Sequence, residues 1–249
     1  MQDIVVKDGA GRLHFKWLEW DTDFFGRPSY ILDLERSALV ASPELERALR
    51  ESLEGAFAAA RFDNATAPEV LMLFQGSGFY CVDTELTLGY EATAAPVGPP
   101  DPSVQVEEVR KNEGLPYDHL GKVFSLTRFH YDPHIGKERA DRLWVEYIRS
   151  FRPSPQARLY VARCGGEAAG CVTVLTRGPS RVLSFVAVLD GFRGRKVGAA
   201  LLRAASADLG GAGFLTETQA RNITAINFYI RNGFRRMEKT SVVMHSWGD

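Results

Sequence analysis

The sequence predicts a mixed α/β fold built around a twisted, largely antiparallel sheet. Strand-like and helix-like periodicities alternate along the whole chain, and three strand patterns between residues 158 and 189 follow one another closely. Antiparallel strands need only short turns, whereas parallel strands need long crossovers. A proline-rich stretch over residues 91–103 predicts a linker between a smaller α/β N-terminal domain, residues 1–90, and a C-terminal domain, residues 104–249.

The N-terminal domain is predicted to mix short strands with helices. A helix is expected to start after Ser42, because serine caps helix N-termini, Pro43 suits the first helical position, and apolar residues then recur on one face. The remaining predicted elements are a strand over 13–18, an aromatic and acidic turn over 20–26, a short helix over 68–75 and an alternating strand over 82–88.

The C-terminal domain is predicted to run strand, two helices, three strands, helix, strand, helix and strand. The first turn of the three-strand meander falls at Gly165 and Gly166. The predicted elements are strands over 104–109, 158–163, 169–176, 182–189 and 214–218, helices over 115–127, 138–151 and 222–233, and a helix starting after residue 195. The last strand, 236–245, is expected either to pair across a homodimer or to finish its own sheet.

A loop between the predicted strand over 182–189 and the next helix has the composition of a phosphate site. Gly194 and Gly198 remove side chains that would block close approach to the backbone. The first amides of a helix lack intrahelical partners and lie at its positive end, so they attract anions. The glycine spacing matches neither a nucleoside-triphosphate P-loop nor a dinucleotide-binding loop. A glycine-rich helix start with no ligand is the alternative.

The predicted helix over 222–233 carries a second set of candidate residues. Asn222 and Tyr229 are seven residues apart, which is about two helical turns, so both are expected on the same side of the helix. Gly233 ends the pattern. The alternative for Tyr229 is an aromatic residue packed in the core.

These two stretches together resemble the GCN5-related N-acetyltransferases (GNAT). The resemblance rests on Arg195-x-x-Gly198-x-Ala200 followed, in the family's order, by Asn222-x-x-Ala225-x-x-Phe228-Tyr229. It covers residues 104–249 and implies the GNAT fold and acetyl-CoA as acyl donor, with no metal. The donor-binding residues it implies are Val186, Ala187, Val188, Arg193, Gly194, Arg195, Lys196, Val197, Gly198, Ala199, Ala200, Asn222, Ala225 and Phe228.

A narrower resemblance concerns residues 20–26 and 125–134. Both stretches are similar to the bacterial enzymes that acetylate dTDP-4-amino-4,6-dideoxygalactose, the fucosamine donor of surface polysaccharides. This implies direct N-acetyl transfer to a nucleotide-linked amino sugar. Cationic and aromatic side chains suit the pyrophosphate and the thymine of such a substrate. The expected substrate-binding residues are Asp23, Phe24, Arg128, His130, Tyr131 and His134, with solvated histidines and a local ion pair of Arg128 as the alternative.

Amide formation from a thioester sets the catalytic requirements. The amine must lose a proton, the carbonyl must be polarised and the departing thiolate needs a proton. Tyr229 is the expected general acid, since a phenol with an ordinary pKa of about 10 stays protonated at neutral pH. Many relatives carry a glutamate on the strand that corresponds to residues 184–188, where this chain has none. Glu217, on the next strand, or an ordered water is therefore the expected base.

Composition excludes several function classes. The chain of 249 residues has 30 basic and 31 acidic residues and 45% hydrophobic residues, which favours neither nucleic-acid nor membrane binding. Early charged residues predict no signal peptide, and three cysteines without a Cys-x-x-Cys spacing predict a reduced, cytoplasmic protein. Two alternative functions stay open. One is acetylation of a protein, peptide or small amine, with Asp21, Asp23, Asp83 and Glu85 as charges of an acidic groove, and the other is a non-catalytic acyl-CoA sensor.

Overall fold

The computed structural model describes residues 1–9, 11–91, 101–208 and 214–249. These residues form two compact units. The first contains residues 1–84, 131–134 and 240–249, and the second contains residues 85–130 and 135–239. Most of the predicted linker, residues 92–100, lies outside the described residues, so the division of the chain at 91–103 stays a prediction. The return of 131–134 and 240–249 to the first unit was not expected from the sequence.

The first unit is a small mixed α/β structure. Strands β1 and β2, and β2 and β3, pair antiparallel, whereas β3 and β4 pair parallel. The predicted helix after Ser42 is confirmed, because the Ser42 hydroxyl accepts a hydrogen bond from the Leu45 amide at 3.0 Å. The elements are β1 Ile4–Lys7, β2 Arg12–Trp17, α1 Glu19–Phe25, β3 Ser29–Leu32, α2 Pro43–Ser52, β4 Phe57–Asp63 and α3 Pro68–Gly76.

The prediction of a turn over residues 20–26 was wrong, because these residues form most of α1. Trp20 and Phe24 are four residues apart and stack with ring centroids 5.4 Å apart, while Phe25 is buried. Gly26 then ends the helix in the left-handed conformation, with φ of +65°. The aromatic spacing is therefore a helical repeat.

The second unit contains a largely antiparallel sheet. Its strands follow the order β5-β10-β9-β8-β7-β6, and only β9 and β10 pair parallel. The elements are β5 Tyr80–Tyr90, β6 Val104–Val109, α4 Tyr117–Gly121, α5 Lys137–Ser150, β7 Ala157–Cys164, β8 Glu167–Arg177, β9 Ser180–Val188, α6 Val197–Asp208, β10 Phe214–Gln219, α7 Ile223–Arg231 and β11 Phe234–Ser246, with β5 and β11 contributing residues to both units. The predicted fold class is confirmed.

The predicted helix over 115–127 is much shorter in the structure. Helix α4 ends at Gly121, where an added Cβ would lie 2.4 Å from a methyl group of Val145 on α5. The chain then leaves the helix, and the Phe124 ring packs against Phe185 and Trp144, at centroid distances of 4.6 and 4.9 Å. Tertiary packing of the aromatic residue therefore overrides the local helical pattern.

Alternate side chains of the second unit's sheet enter two separate cores. On β7, Leu159 and Val161 pack with α4 and α5, whereas Tyr160 and Ala162 pack with α6 and α7. The sheet is therefore covered on both faces. In the first unit, residues 241–246 of β11 pair antiparallel with β4, so this part of the C-terminal strand completes a sheet of its own chain. No helix within the described ranges is long and apolar enough to cross a bilayer.

Candidate active site

A cavity opens in the second unit where β9 and β10 part. The two strands pair parallel over only three residue pairs, from Phe214 with Arg181 to Thr216 with Leu183. Beyond these pairs, Val186 and Val188 of β9 line a cavity of about 700 Å³. This volume falls in the range of small-molecule sites, about 300–1,000 Å³.

The start of α6 forms one wall of this cavity. Gly194 and Lys196 both have positive φ, +78° and +58°, and Lys196 is the one non-glycine residue in the described ranges with that conformation. Such a conformation is rare for a side-chain-bearing residue and concentrates at functional sites. It brings the chain into α6, whose first amides have no intrahelical acceptor. Residues Val197, Gly198 and Ala199 line the cavity at this end.

The charged residues of this loop differ in position. Arg193 and Lys196 line the cavity, and Arg193 also pairs with Asp190 at 2.9 Å. Arg195 stacks over the Phe192 ring at 5.5 Å and is not among the lining residues. Two of the three cations are therefore placed for an anionic ligand. Ala187 and Ala200, also expected at the donor site, are not among the lining side chains.

Gly198 has a packing role that the sequence did not reveal. An added Cβ would lie 2.9 and 3.0 Å from two ring atoms of Phe228 on α7. Helices α6 and α7 therefore approach each other through this glycine. The same absence of a side chain opens the helix start to the cavity and lets the two helices meet.

Helix α7 supplies the opposite wall. Asn222 caps the helix, with its side-chain oxygen accepting a hydrogen bond from the Ala225 amide at 3.1 Å. Asn222, Ala225, Phe228 and Tyr229 all line the cavity. The residues that share one helical face in the sequence thus border one space in the structure.

Tyr229 is the buried phenol of this wall. It is 7% exposed, and burial raises its pKa, while the side chain of Thr216 acts in the opposite direction. The hydroxyl therefore keeps its proton at neutral pH. A protonated group beside the cavity can give that proton to a leaving group.

Glu217 lies on the other face of β10 from Thr216. Phe214, Thr216 and Thr218 are buried, and Glu217 alternates with them. Its carboxylate pairs with Arg177 at 3.4 Å, and its side chain is 31% exposed. Glu217 is not among the residues that line the cavity. Its role as base stays a prediction.

Ser125 and Thr127 also line the cavity; they lie in the stretch 125–134 expected at the acceptor site but were not named individually as site residues. Residues 123–127, between α4 and α5, contribute Ser125 and Thr127 to the wall. The Thr127 hydroxyl is hydrogen-bonded to His130 Nδ1 at 2.8 Å and accepts from Trp144 Nε1 at 3.2 Å. The Thr127-x-x-His130 spacing could have indicated this contact, but the sequence pattern placed Thr127 at the end of a predicted helix over 115–127.

The predicted acceptor residues of the second unit make internal contacts. Arg128 pairs with Glu85 at 3.4 Å and lies over the Phe129 ring at 4.3 Å. The His130 side chain is 5% exposed and bonded to Thr127 and Asp141. Neither Arg128 nor His130 is among the lining residues, although their neighbour Thr127 is.

The other four predicted acceptor residues belong to the first unit. Asp23 is exposed, Phe24 stacks on Trp20, and Tyr131 is 44% exposed. The His134 ring stacks on Trp247 at 5.7 Å. The stretch 125–134 is thus divided between the two units.

Two charges considered for an acidic groove are not surface charges. Asp83 is 1% exposed and Glu85 is 6% exposed, with Glu85 paired to Arg128. Burial removes them from any surface recognition of a basic peptide. Within the described ranges, no group of three or more His, Cys, Asp and Glu side chains is arranged to hold a metal ion.

Comparison with protein families identifies the kind of domain that contains this cavity. Residues 155–236 match the family model of the acetyltransferase (GNAT) domain, and this range contains the parting strands, the α6 loop and α7. Residues 155–236 are therefore similar to a GNAT acetyltransferase domain. The predicted resemblance is confirmed at this level.

Solved structures share the fold at low sequence identity. A GCN5-related N-acetyltransferase from Kribbella flavida is 17% identical with a TM-score of 0.67, covering 98% of this chain and 90% of its own. A conserved protein of unknown function from Staphylococcus epidermidis is 14% identical with a TM-score of 0.65, covering 98% of this chain and 94% of its own. Both likenesses concern the fold alone.

One curated relative carries a pathway name. The chain is 29% identical over 127 residues to the spore coat polysaccharide biosynthesis protein SpsD of Bacillus subtilis. The aligned region covers 50% of this chain and 44% of SpsD, so it spans less than half of that relative.

Proposed function

We propose that this protein transfers the acetyl group of acetyl-CoA directly to the amine of a nucleotide-linked amino-dideoxy sugar, with dTDP as the nucleotide. The observation that carries the proposal is the cavity between β9 and β10, which joins an anion-attracting helix start to the protonated phenol of Tyr229. A covalent acyl-enzyme is not required, because the acceptor amine is itself the nucleophile.

The cavity fits the acyl donor. The α6 loop offers the backbone amides of Val197 to Ala199 and the side chains of Arg193 and Lys196 to a pyrophosphate. Val186 and Val188 provide an apolar wall for the pantetheine arm, and Asn222 borders it from α7. When bound, acetyl-CoA supplies an acyl carbon activated by its thioester.

The chain's own groups supply the polarisation and one proton. On β9 the backbone beyond Leu183 pairs with β8 but not with β10, so its amides that point away from β8 can donate to a carbonyl that enters the gap. Tyr229 holds a proton at its phenol oxygen at neutral pH. These groups meet two of the three requirements of amide formation.

The acceptor class follows from two stretches of sequence and one relative. Residues 20–26 and 125–134 resemble the dTDP-amino-sugar acetyltransferases, and SpsD is named for polysaccharide biosynthesis. Residues 125–127 line the cavity, which favours a contribution of that stretch to acceptor binding. The individual roles of the six acceptor residues, and the cytoplasmic location, belong to this proposal.

The acceptor is tested with purified protein, acetyl-CoA and a panel of dTDP- and UDP-linked amino sugars, peptides and small amines. Free thiol release and product mass are followed. A mass gain of one acetyl group on a dTDP-amino sugar supports the proposal. Transfer only to peptides or simple amines would favour the alternative acceptor class. Binding of acetyl-CoA with no transfer to any amine would favour a sensor.

The donor site is tested by Gly198→Glu, which fills the helix start and adds a negative charge. We expect loss of acetyl-CoA binding in a calorimetric titration. Gly191→Glu is the matched control, because an added Cβ there meets no atom within 4 Å and Gly191 does not line the cavity. Unchanged binding by a folded Gly198→Glu protein would overturn the assignment of the pyrophosphate to this loop.

A further inference from the structure

A chain of hydrogen bonds leads from the cavity wall to the surface of α5. It starts at the Thr127 hydroxyl, which is 2.8 Å from His130 Nδ1. His130 Nε2 is 3.0 Å from a carboxylate oxygen of Asp141, and the other oxygen accepts from Lys137 Nζ at 2.5 Å. Thr127 is 3% exposed and lines the cavity, whereas the Lys137 side chain is 75% exposed.

The chemistry of the partners fixes the direction of each bond. Burial alone would raise the pKa of Asp141, but hydrogen bonds from Lys137 and His130 lower it, so the group is a carboxylate that only accepts. His130 Nε2 must therefore carry the hydrogen. In the neutral imidazole Nδ1 is then an acceptor, and the Thr127 hydroxyl donates to it.

The Thr127 oxygen keeps one acceptor position after these bonds. A hydroxyl has one hydrogen and two lone pairs. The hydrogen goes to His130, and one lone pair accepts from the indole of Trp144, which can only donate. The second lone pair belongs to a residue that lines the cavity, where an amine donor would fill it.

The other cavity residues do not offer a base. In the described part of the chain, the titratable side chains that line the cavity are Arg193, Lys196, Tyr229 and Arg231, and none of these is a carboxylate or an imidazole. The predicted base Glu217 pairs with Arg177 instead. Among the described residues, the hydrogen-bonded chain that starts at Thr127 therefore leads from this cavity to a proton acceptor.

We propose that Thr127, His130 and Asp141 form the path that removes the proton from the acceptor amine, an inference that rests on the proposed function. The ammonium N–H gives its proton to the Thr127 oxygen while the Thr127 hydroxyl gives its proton to His130 Nδ1. The amine keeps the electron pair, and the imidazolium is held by Asp141. Thr127 meets the substrate, whereas His130 and Asp141 are positioning residues that act through it.

Other charged side chains lie near Asp141. Lys137 pairs with Asp141, and Lys122, Glu138 and Arg142 line the same surface groove as Asp141. Glu138 is exposed and has no part in the hydrogen-bonded chain. Glu138→Gln therefore removes one negative charge close to Asp141 and leaves the path intact.

The first test measures the His130 tautomer by ¹⁵N NMR on the folded protein without substrates. We expect hydrogen on Nε2, and a changed Nδ1 resonance in Thr127→Val. A ring with hydrogen on Nδ1 would overturn the path, whatever the enzyme acetylates. This readout does not depend on turnover.

The second test uses the sugar-nucleotide acceptor and the pH profile of kcat. We expect Thr127→Val and His130→Gln to lower kcat about 100-fold and to lose the acid limb, with acetyl-CoA affinity within about twofold. Thr127→Ser should restore most of the rate, which a packing role would not predict.

Two outcomes contradict this proposal in different ways. An acid limb that persists in His130→Gln and disappears in Glu217→Gln would overturn the path while the proposed function stands. A wild-type protein with the expected tautomer that transfers acetyl to no amine would overturn the proposed function, and the proton path would fall with it.

Discussion

Two histidine–aspartate pairs lie in different units of the molecule and differ in their surroundings. His245 and Asp132 are 2.6 Å apart in the first unit, with both side chains fully buried. His130 and Asp141 are 3.0 Å apart in the second unit, with side chains 5% and 17% exposed. Of these two pairs, one is therefore sealed from solvent and the other lies beside a cavity-lining hydroxyl.

Asp132 is saturated with hydrogen bonds. Besides His245, it accepts from the Tyr80 hydroxyl at 2.7 Å, the His134 amide at 2.9 Å and the Trp247 indole at 3.1 Å. These groups join residues 131–134 and the C-terminal segment to β5 within one unit. His245 and Trp247 are buried, so we expect the pair to stabilise the fold. The second pair differs because His130 is hydrogen-bonded to Thr127, whose hydroxyl oxygen keeps one open acceptor position in our proposal.

The largest expected effect is on stability, from Asp132→Asn. Removing the charge from a fully buried, paired site costs about 3–5 kcal/mol, which lowers the apparent melting temperature by roughly 10 °C for a chain of this size. Asp249→Asn is the control, because its carboxylate is 62% exposed and lies 3.5 Å from its partners. Thermal unfolding at pH 7 measures both. A loss below about 2 °C in Asp132→Asn would contradict the structural role.

Acid should remove the difference between wild type and Asp132→Asn. Burial would raise the pKa of Asp132, but hydrogen bonds from His245, Tyr80 and the His134 amide lower it below the ordinary value. A depressed pKa contributes stability above the unfolded value of about 3.9, and this contribution is lost as the pH falls through the folded value. The difference in melting temperature between the wild type and Asp132→Asn should therefore decrease from pH 5 to pH 3. A gap that stays constant with pH would assign the effect to packing.

The sequence predicted the parts of the site that depend on local pattern. Glycine spacing located the α6 loop, and helical periodicity placed Asn222 and Tyr229 on one face of α7. The sequence failed to predict the parts whose structure depends on contacts between residues distant in the chain. The chain leaves the helix after Gly121 because Phe124 packs on Phe185. The local pattern does not contain this contact, and it predicted a helix that continued to Thr127. Asp141 was expected only on a helix, and no local pattern pairs it with His130.

Tyr229→Phe tests the expected general acid independently of the two histidine–aspartate pairs. We expect kcat to fall about 10- to 100-fold, because the buried phenol can no longer give a proton, while the acetyl-CoA dissociation constant stays within about twofold. Tyr147→Phe is the control, because that hydroxyl bonds to Ser184 and does not line the cavity. Steady-state kinetics and calorimetry measure the two quantities. An unchanged kcat in Tyr229→Phe would remove it from the acid role.

Asp141→Asn tests whether the histidine–aspartate pair of the second unit acts in the reaction. An asparagine oxygen can still accept the His130 Nε2 hydrogen, so the tautomer survives, while the counter-charge for the imidazolium and the bond accepted from Lys137 are lost. We expect kcat to fall about 10-fold and the acid limb of its pH profile to move to lower pH. The apparent melting temperature should fall by less than about 3 °C, because a partly exposed ion pair contributes about 1 kcal/mol or less.

The matched change Glu138→Gln should leave the rate and the acid limb in place, since it removes a nearby charge outside the hydrogen-bonded chain. If Asp141→Asn instead lowered the melting temperature as much as Asp132→Asn and left the pH profile unchanged, both pairs would be structural. The open acceptor on Thr127 would then have no bearing on the reaction. The opposite result, a slowed enzyme of nearly normal stability, would assign the second pair to proton transfer, because its contribution would appear only when a substrate occupies the cavity.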